Sequence, residues 1–253
     1  MRAIFAAIAV SFAPIVPISS VSASEFSAPW EDAASAIVLD PFSGNSINWD
    51  QLGTDARVVG IIHKASQGTA EDGKYVVRRT QARGRRYLWG SYHLLTTAAL
   101  DQQIDNYIGV VGVYSDETYA IDVECLQAST TCQSSAFKVS FPQIEGALRL
   151  VRARTGRLPM VYANHSVAKA LSQRWAGSAE FARVPLWYAR FKRTVTDFPA
   201  GPWLTYALWQ FSSEINCTAA ACPYQVPGVA RDMDLNVFAG SADALRRQWP
   251  LND

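Results

Sequence analysis

No long run of like charge occurs in this sequence: 23 basic and 22 acidic residues are spread over 253 positions for a formal net charge of +1. That distribution gives no reason to expect a nucleic-acid surface. Beyond the first 23 residues no apolar stretch approaches the ~20 residues of a bilayer span, so no membrane span is expected in the mature chain. Histidine is scarce: His63, His93 and His165 stand far apart. Cysteine is limited to four, none in a C-x2-C spacing, so a zinc site has little to build on and no metal or cofactor is implied. Internal repeats and low-complexity tracts are absent too, which leaves a globular domain.

What is present points to an exported protein with a large core. The chain is 49% hydrophobic, long enough for one α/β barrel, and is expected to be a single domain and a monomer. Eight Trp and ten Tyr are many for this length. Such rings either fill the core or stack on sugar faces while offering a polar handle. The opening "MRAIFAAIAVSFAPIVPISSVSA" has one positive charge, an apolar run and small residues, Val21 and Ala23, at its end. It reads as a signal peptide over residues 1–23, giving a periplasmic or extracellular protein that begins at Ser24. Pro14 and Pro17 shorten the apolar run too much for a membrane anchor. In an exported chain the four cysteines fall into two close pairs, Cys125 with Cys132 and Cys217 with Cys222, for which local disulfides are the favoured of three connectivities.

Residues 24–36 are polar and small, a lead-in to a catalytic barrel over 37–253. Eight short apolar runs follow as candidate strands: "AIVLD", "VVGIIHK", "YLWGSYH", "TYAIDVE", "MVYAN", "PLWYAR", "TYALWQF" and "DMDLNVF". Between several of them lie helical patterns. Leu100, Ile104 and Ile108 recur at i, i+4, i+8, and "SFPQIEGALRLVRARTG" runs from a Ser140 cap to a Gly156 stop. "GKYVVRRTQARG" and "HSVAKALSQRW" add two more. Strand and helix alternate, so a parallel sheet is expected, but the last third carries Pro- and Gly-bearing loops in place of helices. The fold class is α/β, an irregular (β/α) barrel with about eight strands and fewer helices.

Functional groups in such barrels collect at the C-terminal ends of the strands. Here those ends offer Asp40, His63 with Lys64, Tyr92 with His93, Asp122 with Glu124, Tyr162 with Asn164, Trp187 with Arg190, Trp209 with Gln210, and Asp234. In an extended "YAIDVE", Asp122 and Glu124 leave one face while Ile121 and Val123 leave the other. Their Cβ atoms then start ~6.5–7 Å apart. That is looser than the ~5–5.5 Å of a direct nucleophile pair and compatible with either substrate assistance or inversion. Four carboxylates at one mouth would raise the pKa of at least one, which is how a carboxylic acid is kept protonated for use as a general acid. For His63 and His93 a purely structural hydrogen-bonding role is the simpler expectation.

Taken in order, Asp40 with "INW", "KASQG", "GSYH", "IDVE", "TGRLPMVYAN", "PLWYAR", "LWQF" and "VPGVARDMDLNVF" resemble the landmarks of glycoside hydrolase family 25, over residues 37–240. The family consists of lysozymes that cleave peptidoglycan between N-acetylmuramic acid and N-acetylglucosamine. The resemblance implies Glu124 as the acid and base, and Asp122 as the carboxylate that steadies the 2-acetamido group as it closes to an oxazolinium ion. Asp40 and Asp234 would be further pocket acids. Tyr92, Tyr162, Trp187, Arg190, Trp209 and Gln210 would contact substrate, and peptidoglycan glycan strands would be the partner. Four features depart from the family: "DPFSGNSINW" is a residue shorter than usual and lacks a Gln, Gln67 stands where Glu is frequent, "TAEDGKYVV" does not match the usual following motif well, and both cysteine pairs are additions. Two other functions fit the residues, a cell-wall carbohydrate-binding protein without turnover and a glycosidase of another linkage.

Overall fold

The computed structural model describes residues 26–132 and 134–251. The expected signal peptide and the expected start at Ser24 lie outside them.

Eleven strands and six α-helices follow one another along these residues: β1 (Ser35–Leu39), α1 (Trp49–Leu52), β2 (Val58–Gln67), β3 (Ala70–Glu71), α2 (Tyr75–Gly84), β4 (Leu88–Leu94), α3 (Leu100–Val111), β5 (Glu117–Val123), β6 (Cys125–Leu126), β7 (Lys138–Val139), α4 (Phe141–Thr155), β8 (Met160–Asn164), α5 (His165–Trp175), β9 (Leu186–Ala189), β10 (Leu208–Ser212), β11 (Leu235–Ser241) and α6 (Ala242–Gln248). Eight of the strands form the barrel in the order β1, β11, β10, β9, β8, β5, β4, β2, and β2 pairs with β1 to close it. β3 extends β2 as a short antiparallel flap, and β6 with β7 forms a separate two-stranded sheet.

Local chemistry sets several boundaries. In α4 the Ser140 side chain accepts from the Gln143 amide while the Gln143 side chain accepts from the Ser140 amide, a complete capping box. The helix ends at Gly156, whose φ of 74° is open to glycine at little cost. Gly90 in β4 answers a different need: a Cβ there would lie 3.0 Å from Thr118 and 3.1 Å from Ile62, so any larger residue would press the neighbouring strands aside by a few tenths of an ångström.

Strand alternation divides the core in two. Val38, Ile62, Ala120, Met160, Trp187, Leu208 and Phe238 fill the barrel interior. Ile37, Ile61, Ile121, Val123 and Val161 face outward and pack under Ile104, Tyr107, Ile144, Leu148 and Leu171 of the surrounding helices. The lead-in adds to this outer layer. Trp30 is buried, stacked on Phe211 at 4.4 Å with rings 6° from parallel.

One expectation is corrected. The sheet is not wholly parallel, because β11 runs antiparallel to both β10 and β1. Two short helices, α1 and α6, follow no apolar period long enough to be read in the sequence. The loop "FKRTVTDFPAGPW" between β9 and β10 is without an α-helix, as expected. Among the described residues no helix is long and apolar enough to cross a membrane.

Candidate active site

The inward phase of the strands brings eight polar and aromatic side chains together at the mouth. Asp40, Tyr92, Asp122, Glu124, Tyr162, Trp187, Gln210 and Asp234 line a pocket of about 50 Å³. Asp40 directly follows β1, Asp122 is in β5, and Glu124 directly follows that strand. Asp234 comes immediately before β11. It reaches the same rim because that strand is reversed, so its N-terminal end meets the C-terminal ends of the others. Thus the opposite strand direction does not displace the fourth carboxylate from the site.

Hydrogen bonds fix the floor. The Tyr162 hydroxyl donates to Gln210 Oε1 at 2.9 Å, and Gln210 Nε2 donates to Asp40 Oδ2 at 2.7 Å. The relay ties Tyr162, Gln210 and Asp40 into one hydrogen-bonded chain across the floor. Trp187 Nε1 donates to Asn236 Oδ1 at 2.5 Å. The Trp187 ring meets Tyr92 and Tyr162 edge-on at 6.0 and 5.1 Å. At 1% exposure Trp187 is a buried floor and not an open stacking platform. By contrast, Asp122 Oδ1 and Asp234 Oδ1 are buried without a hydrogen-bond partner among the described residues. Unpaired buried polar atoms cost stability, and because both residues line the pocket a ligand there could satisfy them.

Crowding and burial favour the protonated forms. Burial, then Asp234 and Asp122, hold the Asp40 carboxyl well above the usual range. Asp122 is raised by burial and Glu124, against the opposing pull of Lys64. Burial raises Glu124 as well, again opposed by Lys64. Asp234 is pushed up to about 8 by burial, Glu214 and Glu124. Burial and the same carboxylates keep the Tyr92 and Tyr162 phenols protonated. The pocket therefore holds proton donors and a limited number of anions in one place, which suits general acid catalysis.

Glu124 also borders a second, larger cavity of about 960 Å³, walled by the Cys125–Cys132 loop, the start of α5 and residues Ala189–Lys192. Both local disulfides are formed, Cys125–Cys132 and Cys217–Cys222. Arg190 lines this groove and not the small pocket, and its guanidinium pairs with Asp197 at 2.8 Å. Asn164 ties the region together: its Nδ2 donates to the Glu124 carbonyl at 2.8 Å while its Oδ1 caps α5.

Trp209 corrects an expectation. It alternates with the inward Gln210, so it faces outward, wholly buried beside Trp30 and Tyr206, with Nε1 donating to the Arg190 carbonyl at 2.7 Å. No surface is left for a substrate. The histidines of β2 and β4 are likewise behind the barrel wall. His63 accepts from Arg78, and His93 bonds Ser66 and Gln103. Burial lowers each to about 4, so both are neutral structural groups. Glu214, in the loop after β10, acts on both Glu124 and Asp234. No periodic signal in the sequence singled it out. Among the described residues no group of three or more His, Cys, Asp or Glu is arranged to hold a metal ion.

Comparison with known proteins adds an independent line. The model of "Glycosyl hydrolases family 25" matches residues 41–219. A bacterial lysozyme from Streptomyces coelicolor superposes with a TM-score of 0.64 at 23% identity, covering 85% of this chain and 96% of its own. A muramidase from Acremonium alcalophilum gives 0.64 at 22% identity, covering 83% and 97%. A family GH25 lysozyme from Aspergillus fumigatus gives 0.65 at 22%, covering 84% and 98%. At these identities the likeness establishes the barrel fold. No curated protein matches the chain.

Proposed function

Since the chain belongs to glycosyl hydrolases family 25, and is a glycoside hydrolase, we propose that it cleaves the β-1,4 bond between N-acetylmuramic acid and N-acetylglucosamine in peptidoglycan. The observation that carries this reading is the convergence of Asp40, Asp122, Glu124 and Asp234 on one buried pocket at the barrel mouth. Glu124 is the general acid. It stands where the small pocket opens into the wide groove, so a glycan strand lying across both would present its scissile oxygen there. Burial keeps its proton available for the leaving group. The same carboxylate, once ionised, activates the water that completes hydrolysis.

Asp122 is one strand period away, with Oδ1 free of any partner among the described residues. It orients the 2-acetamido group, whose carbonyl oxygen attacks the anomeric carbon, and it balances the positive charge of the oxazolinium ion that forms. Tyr92 is a proton-bearing donor beside the reacting sugar, and Tyr162, whose hydroxyl donates to Gln210, lines the same pocket. Cleavage by an exported enzyme fits the two formed disulfides, which persist outside the cytoplasm, and residues 1–23 would supply the export signal.

A substrate carrying a free amine in place of the 2-acetamido group tests the mechanism. Substrate assistance predicts that wild-type cleavage collapses on it although the ligand still binds. Equal rates on both substrates would instead give Asp122 the role of base in an inverting reaction.

A further inference from the structure

Beside the pocket stands a cation to which no role has yet been given. Lys64 lies on β2 in phase with the inward Ile62 and directly opposite Tyr92 of β4. Its ammonium forms no ion pair among the described residues. It donates to Gln67 Oε1 at 2.7 Å and lies 5.8 Å from the centre of the Phe42 ring. A neutral amide and an aromatic ring hold the ammonium in place without cancelling its charge. Around the same mouth, Asp122 and Glu124 are faced by Asp40 from β1, Tyr92 from β4, Tyr162 from β8, Glu214 after β10, and Asp234 before β11. β9 and β10 present the neutral Trp187 and Gln210. Lys64 is the positive group acting on Asp122 and Glu124.

From this arrangement we infer that Lys64 is a positioning residue for the reaction, and that its amide tether to Gln67 is what leaves its charge free to decide how many pocket carboxylates are anions. The inference rests on the assignment of Glu124 and Asp122 above. The reaction needs one carboxyl protonated and one ionised at the same time, in a pocket whose burial discourages any ionisation. One nearby ammonium offsets about one negative charge. It thus permits an anionic Asp122 without requiring Glu124 to give up its proton.

Taking the cation away makes both carboxyls harder to ionise, so both limbs of the pH profile of kcat/KM move to higher pH. Lys64→Met removes the charge. Gln67→Glu leaves Lys64 in place but puts a carboxylate against its ammonium, and neither residue lines the pocket. Both variants should shift the profile in the same direction, while Lys64→Arg should restore the wild-type limbs.

The experiment is a pH profile of purified peptidoglycan hydrolysis for the wild type and the three variants, with Glu124→Gln as control and melting temperatures measured alongside. An upward shift of both limbs in Gln67→Glu supports the inference even if Lys64→Met does not fold. Profiles of Lys64→Met and Gln67→Glu that superimpose on the wild type, in whichever of the two folds, overturn it, because a purely structural lysine would lower stability without moving the limbs. Full activity in Glu124→Gln would instead remove the site assignment itself, so the two failures are distinguishable.

Discussion

Asp234 leaves Oδ1 buried without a partner among the described residues, and burial with Glu214 and Glu124 pushes its pKa up to about 8. In an unfolded chain an aspartate ionises near ~3.9. Between those values the folded protein holds a proton that the unfolded chain has lost, so this group's contribution to stability falls as pH rises. Asp234→Asn keeps the shape and cannot ionise. It is expected to melt above the wild type at pH 8, to narrow that difference at pH 5, and to hydrolyse peptidoglycan more slowly. Calorimetry at the two pH values checks this, and a wild type whose melting temperature climbs from pH 5 to 8 relative to the variant would contradict it. At this scale the pair Asp122 and Glu124 was legible because a strand's period of two is rigid, placing Ile121 and Val123 opposite them. The same period should have excluded Trp209, since Gln210 beside it points inward. There the attraction of an aromatic at a strand end outweighed the parity.

Among the elements, α3 and α5 keep the bounds that apolar spacing gives them, and α4 keeps its Ser140 and Gly156 ends. These signals are local. Strand direction is not: β11 is antiparallel because of where its partners lie, and the long loop from Ser213 to Asp234 carries no hairpin turn to announce the reversal. α6 was hidden for a related reason, since its seven residues are too few to show a period. The element most exposed to experiment is the loop closed by Cys125 and Cys132, which begins directly after Glu124 and walls the groove. Reduction with alkylation is expected to lower activity more than it lowers helix content by circular dichroism, because residues 125–132 within the closed loop contain no helix. Parallel loss of both signals would mean that the bond supports the whole fold. Similarly, Ser140→Ala removes half of the capping box and should cost about 1 kcal/mol in a denaturant titration, with no change in kcat.

Across the whole molecule the barrel is closed by β1, which pairs with β11 on one side and β2 on the other. Charge bolts a helix to this wall at one point. Glu117, at the start of β5 and fully buried, meets Arg79 at 2.6 Å and Arg83 at 2.7 Å from α2. Burial raises the Glu117 carboxyl even so, with the two arginines pulling against it. Glu117→Ala would strand Arg79 against the sheet and is expected to destabilise the protein by about 3 kcal/mol, the low end for a broken buried pair because Arg83 is 40% exposed and can turn to water. A loss below about 0.5 kcal/mol would show that α2 is held by packing alone. Such long-range pairs were not readable beforehand, since nothing in "DET" or "RRTQAR" names its partner. The central claim, that this barrel cuts on the reducing side of muramic acid with Glu124 as the proton donor, has one direct test. Purified peptidoglycan is digested with the wild type and with Glu124→Gln, the products are reduced with borohydride, and the newly reduced sugar is identified by mass. Reduced muramic acid from the wild type, and release slowed ~10²–10⁴-fold in the variant, is the predicted result. Reduced glucosamine, or undiminished release by Glu124→Gln, would contradict it.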